Sequence, residues 1–143
     1  SVEAFGQGES LTRRIGDILR LYPDWGASTI HEVLQNADDA GATRVGVKLT
    51  TATHGASSLL GSAMAAWQGP ALLFYNDAQF TDADWRAICA VGQAGKLQRL
   101  SASGRFGLGF NACYHWTDVP SIVSGDSLVV FDPHAAYVPG ATT

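Results

Sequence analysis

The sequence predicts an α+β fold on three observations. Ile30 to Ala42 repeats its apolar residues at helical spacing, Arg44 to Leu49 alternates apolar and polar residues, and Ala71 to Tyr75 is an unbroken apolar run of strand length. Helices and strands thus follow one another in a chain of 143 residues, which is enough for one domain with a core.

Composition narrows the function classes. Apolar residues make up 46% of the chain and charged residues 15%, the balance of a globular protein. The net charge is -4, and the nine Lys and Arg are scattered, so a nucleic-acid partner is not expected. Any anionic ligand must be held locally. Cys89 and Cys113 lack metal-ligand spacing and lie in helix-like segments, which predicts reduced core thiols in a cytoplasmic protein. No basic, apolar, small-residue leader follows Ser1, so no secretory signal is read. The apolar run from Ser57 to Trp67 is too short to span a bilayer, so no membrane association is expected. The missing initiator Met suggests a piece of a longer chain.

In chain order, Ser10 is placed to cap a helix running to about Tyr22, with Leu11, Ile15, Ile18, Leu19 and Leu21 on its apolar side and Arg13, Arg14 and Arg20 in water. Pro23 to Gly26 breaks it, and Ser28 or Thr29 can cap the central helix. Gly41 stands where a left-handed residue ends a helix. Arg44 to Leu49 reads as a strand with one buried face. Thr50 to Pro70 reads as a loop holding one helical turn. Ala71 to Tyr75 reads as a central strand ending in Asn76 and Asp77. Thr81 is placed to cap a helix from Asp82 to Val91, with Trp85 and Ile88 inward. Gly92 to Ser103 is polar and carries Lys96 and Arg99, a composition that suits a solvated loop or a functional lid. Phe110 to Trp116 is a second apolar helical run, and Ser127 to Phe131 a further strand. The segment from Asp132 onward shows no regular pattern.

Three stretches carry candidate chemistry. In the central helix, Val33, Leu34, Ala37 and Ala40 share one side with Ile30 at its edge, while Glu32, Asn36 and Asp39 stand at i, i+4 and i+7 in one polar column. Such a column is a wet face or the wall of a site. Asn76-Asp77 is a turn or a carboxylate delivered at a strand end. GRFGLGF, Gly104 to Phe110, opens a helix through three glycines, so its backbone N–H groups are accessible to an anion, or its small residues serve a packing contact. GQAGK, Gly92 to Lys96, lacks P-loop spacing and has Leu97 where the hydroxyl belongs. His31, His54, His115 and His134 form no metal-ligand spacing.

The order of these stretches resembles the GHKL ATPases, a superfamily that joins the ninety-kilodalton heat-shock chaperone, type II topoisomerases, histidine kinases and MutL. Within it, NADDAGAT at Asn36 to Thr43, YNDAQFT at Tyr75 to Thr81, GRFGLGFNACYHWTD at Gly104 to Asp118, and PSIVSG with VVFDPH look like the nucleotide-binding module of sacsin-type proteins. The resemblance runs from Phe5 to about His134. It implies a Bergerat fold: a two-layer α/β sandwich with a mixed, mostly antiparallel sheet, here a single ATP-binding domain over 1–143 that is truncated at its C-terminal end.

The resemblance also assigns roles. Glu32 would be the general base, Asn36 the Mg²⁺ ligand, and Asp39 a pocket-lining carboxylate. Asp77 would accept the exocyclic amine of adenine. Gly104, Gly107, Gly109 and Phe110 would offer or shape backbone contacts to phosphate, with Arg105, Lys96 and Arg99 as further phosphate contacts. Two departures stand out: Ala78, Gln79 and Phe80 occupy the place of the superfamily's Gly-x-Gly, and the later strand carrying a Thr beside adenine is not present. The implied activity is slow Mg²⁺-dependent ATP hydrolysis driving a chaperone-like cycle, with ATP and ADP as ligands, a protein client or co-chaperone as partner, and dimerisation in the full-length protein. The alternative is a nucleotide-sensing or protein-interaction module that does not hydrolyse.

Overall fold

The computed structural model describes residues 10–20, 24–89 and 109–141. Helix α1, Leu11–Leu19, buries Ile15 and Ile18 as its spacing predicts. Ser10 occupies the cap position, but its hydroxyl pairs with Thr12 Oγ1 at 2.8 Å and caps no backbone N–H. Arg20 pairs with Asp17 at 3.2 Å on the surface, where such pairs contribute little.

Helix α2, Trp25–Asp39, begins a turn earlier than its sequence suggests, behind Asp24. Thr29 is therefore inside the helix and not at its cap. Its hydroxyl is spent on distant partners: it donates to the Ala112 carbonyl at 3.0 Å and accepts Trp116 Nε1–H at 3.0 Å. The helix ends as predicted at Gly41, φ +71°. Gly41 N–H bonds to Asp38 O and Ala42 N–H to Ala37 O, both at 2.9 Å, the paired closure of a Schellman motif.

The inward face of α2 corrects the predicted one. Thr29 and Ala37 are buried and Val33 half-buried, whereas Ile30 and Leu34 are 43% and 48% exposed and Ala40 is exposed. The buried stripe is rotated toward the polar column, so Glu32 and Asn36 are half-buried at its edge. The cause is the docking of the 3₁₀ helix Phe110–His115 against the Thr29 side. That short helix also receives α1, and its Asn111 and Ala112 are buried between the two.

Strand β1, Val45–Thr50, pairs antiparallel with β2, Ala71–Asn76, in the register Val45 to Asn76 through Thr50 to Ala71. Two expectations fail here. β1 has no buried face, since Val45, Val47 and Leu49 are 41%, 53% and 73% exposed. β2 is not a central strand: it pairs only with β1 among the described residues, and Leu73 and Tyr75 remain exposed. Periodicity fixes which side chains share a face, not whether another layer covers it.

The 51–70 connection is irregular apart from a 3₁₀ turn, Ser62–Trp67, as expected. Helix α3, Asp82–Cys89, opens with a reciprocal cap: Asp84 N–H donates to Thr81 Oγ1 at 3.3 Å while Thr81 N–H donates to Asp84 Oδ2 at 2.8 Å. Ile88 is buried and Trp85 packs on Phe80, ring centroids 4.6 Å apart. Cys89, expected in the core, is exposed at the end of this helix.

Strands β3, Ser121–Ser124, and β4, Ser127–Val130, form a second antiparallel pair turned by Gly125, φ +57°. The sequence predicts β4 but not β3. The described residues are thus α+β with two separate two-stranded antiparallel sheets. The segment after β4 is irregular but tied: the buried Asp132 carboxylate accepts Tyr137 N–H at 2.7 Å and Val138 N–H at 2.8 Å. No helix among the described residues is long and apolar enough to cross a membrane.

Candidate functional site

The polar column of α2 meets the glycine-opened helix at one point. Gly109 is buried with φ -63° and ψ -36°, and a Cβ built on it would fall on the Glu32 carboxylate, Oε2 first and Cδ at 2.7 Å. Glu32 therefore lies directly on the backbone of Gly109, an approach that only glycine permits with the side chain where it stands. Two residues 77 positions apart, each singled out by its own motif, are neighbours.

Thr29 holds that approach. Its hydroxyl bridges α2 to both Ala112 and Trp116, and it lies one turn before Glu32 on the helix. The Trp116 ring packs over Gly26 of α2, where a Cβ would stand in ordinary contact with Cζ2 at 3.8 Å. One turn beyond Glu32, Asn36 is half-buried, and at the helix end Asp39 is exposed. The column thus runs from the Gly109 contact outward to solvent.

Asp77 directly follows β2, and its carboxylate reaches back over the turn that leaves α2. Oδ1 accepts Thr43 N–H at 2.7 Å and Arg44 N–H at 3.0 Å, and Oδ2 accepts the Thr43 hydroxyl at 2.6 Å. The Thr43 hydroxyl first, then the Arg44 N–H, hold the Asp77 carboxyl below the usual carboxylate range. Asn76 makes the local turn by accepting Ala78 N–H at 3.0 Å, so both sequence readings of Asn76-Asp77 are partly realised.

Residues 8–143 match the Sacsin domain family. This chain belongs to the sacsin-domain family. It is 45% identical over 140 residues to human (Homo sapiens) sacsin, an alignment that covers 97% of this chain and 3% of the human protein.

In this sacsin-domain chain Phe110 has a packing role: its ring stands 5.1 Å from Phe131 and 6.3 Å from Tyr114. Gly104, Arg105 and Gly107, with Lys96 and Arg99, lie outside the described residues. Desolvation pushes the thiol of the half-buried Cys113 up to about 12 and also raises the Tyr114 phenol. No cluster of three or more His, Cys, Asp or Glu suited to a metal occurs among the described residues. A cavity of about 160 Å³ between α1 and the tail is lined by Ile15, Leu19, Tyr114 and Pro133 and contains none of the predicted site residues.

Sequence reasoning missed Thr29 and Thr43 as individuals. Thr29 follows Ser28 at an apparent helix start and so reads as a cap. Thr43 becomes visible only through the β1–β2 register, which brings the residues before Val45 alongside those after Asn76.

Proposed function

We propose that this chain binds ATP with Mg²⁺ along the polar column of α2 and hydrolyses it slowly, within the chaperone-like cycle of a longer sacsin-type protein. The observation that carries this reading is the contact of Glu32 with Gly109, which sets a carboxylate beside the backbone where a helix opens from a glycine-rich stretch. In that position Glu32 would orient and deprotonate a water attacking the terminal phosphate. Asn36, one turn along and half-buried, offers the single neutral oxygen that suffices for Mg²⁺, which takes its other ligands from phosphates and water. The ion, when bound, supplies charge neutralisation at the phosphates. Asp77 would accept the adenine amine at the far end of the helix. The finer fold that goes with this reading is the two-layer Bergerat sandwich. Two cysteines without a disulfide suit a reducing cytoplasm. Protein clients and dimerisation belong to the longer protein.

Calorimetric titration with ATP and Mg²⁺ tests the reading. Wild type should bind, Asp77→Asn should lose binding, and Glu32→Ala should bind without turnover. Equal binding and turnover in all three would overturn the assignment. A second reading, a protein-interaction module without nucleotide, is favoured by the exposure of Val47, Leu49, Leu73 and Tyr75 on the β1–β2 pair. It predicts neither heat nor a thermal shift with ATP.

A further inference from the structure

We infer that the outer ridge of α2, formed by Ile30, Leu34 and the Trp116 ring, docks an amphipathic helix with basic flanks from a partner protein. The inference stands apart from the ATP reading, because the ridge and the polar column lie on opposite flanks of the buried stripe.

Positions 26, 30, 34 and 38 form one row at a spacing of four along α2, and such rows are the ridges that pack into the grooves of a second helix. The Trp116 ring covers Gly26 at the start of the row, Ile30 and Leu34 stand exposed along it, and the exposed Asp38 ends it. Counted at about 100° per residue, the row lies across the Thr29, Val33 and Ala37 stripe from Glu32 and Asn36. It extends about 18 Å, three turns of a partner helix.

Trp116 gives the ridge an anchor. It is 50% exposed, yet its Nε1–H donates to Thr29 Oγ1 at 3.0 Å and its ring packs over Gly26. A large aromatic side chain already fixed by its own protein gives up little rotamer freedom on docking, and aromatic residues of this kind are the usual energetic centres of interfaces.

Charge chooses the occupant. Neither α2 nor the 110–118 segment contains a Lys or Arg, whereas Glu32, Asp38, Asp39 and Asp118 lie on them. A second copy would bring the same acidic groups against themselves, and an anionic lipid surface is disfavoured for the same reason. A helix whose apolar stripe is bordered by Lys or Arg matches both the ridge and its rim.

The test titrates the ¹⁵N-labelled 143-residue chain with a synthetic peptide of about 14 residues, carrying Leu along one helical face and Lys on both flanks, and with its twin in which Glu replaces every Lys. The Lys peptide should bind saturably, with shifts centred on Trp116 Nε1–H and the Ile30 and Leu34 amides, and the Glu twin should bind at least about tenfold more weakly. Leu34→Gln and Asp38→Lys, both at exposed positions, should each weaken the Lys peptide by about fivefold or more. Leu49→Gln on β1 should leave its affinity unchanged. No saturable binding of the Lys peptide, equal affinity for the twins, or wild-type affinity in both ridge variants overturns the inference. Three other results overturn it by naming another arrangement. Weakening by Leu49→Gln moves the docking to the β1–β2 pair; a dimer abolished by Leu34→Gln gives the ridge to a second copy; and binding of phosphatidylserine vesicles in place of the peptide gives it to a membrane.

Discussion

Replacing Gly109 with alanine tests the contact that organises the site. The backbone there has φ -63° and ψ -36°, an ordinary right-handed helical conformation that alanine adopts readily, so the substitution carries no backbone strain of its own. Its entire penalty comes from the new methyl group, which would overlap the Glu32 carboxylate and sit 2.7 Å from Cδ. Glu32 is a flexible side chain at the edge of the core, and it relieves the clash by leaving its position. Because the clash falls on the movable end of one side chain, the cost is modest, about 1 kcal/mol, which for a chain of this size lowers Tm by roughly 3 °C. On the proposed reading of Glu32 as the general base, displacing it also costs roughly 100-fold or more in turnover. Thermal unfolding of Gly109→Ala, Glu32→Ala and the double variant separates these effects. With Glu32 already truncated the methyl has nothing to strike, and the helical preference of alanine over glycine makes Gly109→Ala neutral or stabilising by up to about 1 kcal/mol. The predicted result is a change of sign between the two backgrounds. An undiminished penalty in the Glu32→Ala background would refute the contact.

Other variants probe the frame around it. Thr29→Val keeps the shape and removes the hydroxyl that serves Ala112 and Trp116; urea unfolding should show a loss of about 2 kcal/mol, because the Ala112 carbonyl is left buried without its partner. Gly41→Ala forces a side chain to φ +71° and should cost about 1–2 kcal/mol, with the helical signal of α2 reduced at its end. Asp132 gives a pH dependence of defined sign. Burial pushes its carboxyl up, but the Val138, Tyr137 and Ala136 N–H groups together with His134 outweigh burial and hold it below the usual range. Its contribution to stability is therefore present above the unfolded carboxyl value of about 3.9 and is lost as pH falls from there through the lower folded value. Asp132→Asn should flatten that part of the stability curve, and an unchanged acid slope would contradict it.

Those parts of the chain that were legible owe it to local interactions. α3 and the end of α2 were readable because Thr81 with Asp84, and Gly41 and Ala42 with the Asp38 and Ala37 carbonyls, complete their bonds within six residues. The polar column was legible for the same reason, since helix geometry alone aligns Glu32, Asn36 and Asp39. Its inward rotation was not, because it depends on a helix 80 residues away that buries Thr29 instead of Leu34. The sheet failed where coverage matters: Val47 and Leu49 alternate as half-buried residues do, yet no layer of the described chain lies on them. Asp77 was singled out correctly as a carboxylate at a strand end, but its three bonds to Thr43 and Arg44 arise from strand pairing, which no local pattern encodes.

The central claim is that Glu32, Asn36, Gly109 and Asp77 address one ligand. Residue-resolved NMR of this chain during titration with ATP and Mg²⁺ tests it most directly. The account predicts saturable shifts at the Gly109 amide, the Asn36 side-chain amide and the Glu32 and Asp77 carboxyls, all fitting one dissociation constant. Shifts confined to other residues, or none at saturating nucleotide, would contradict it.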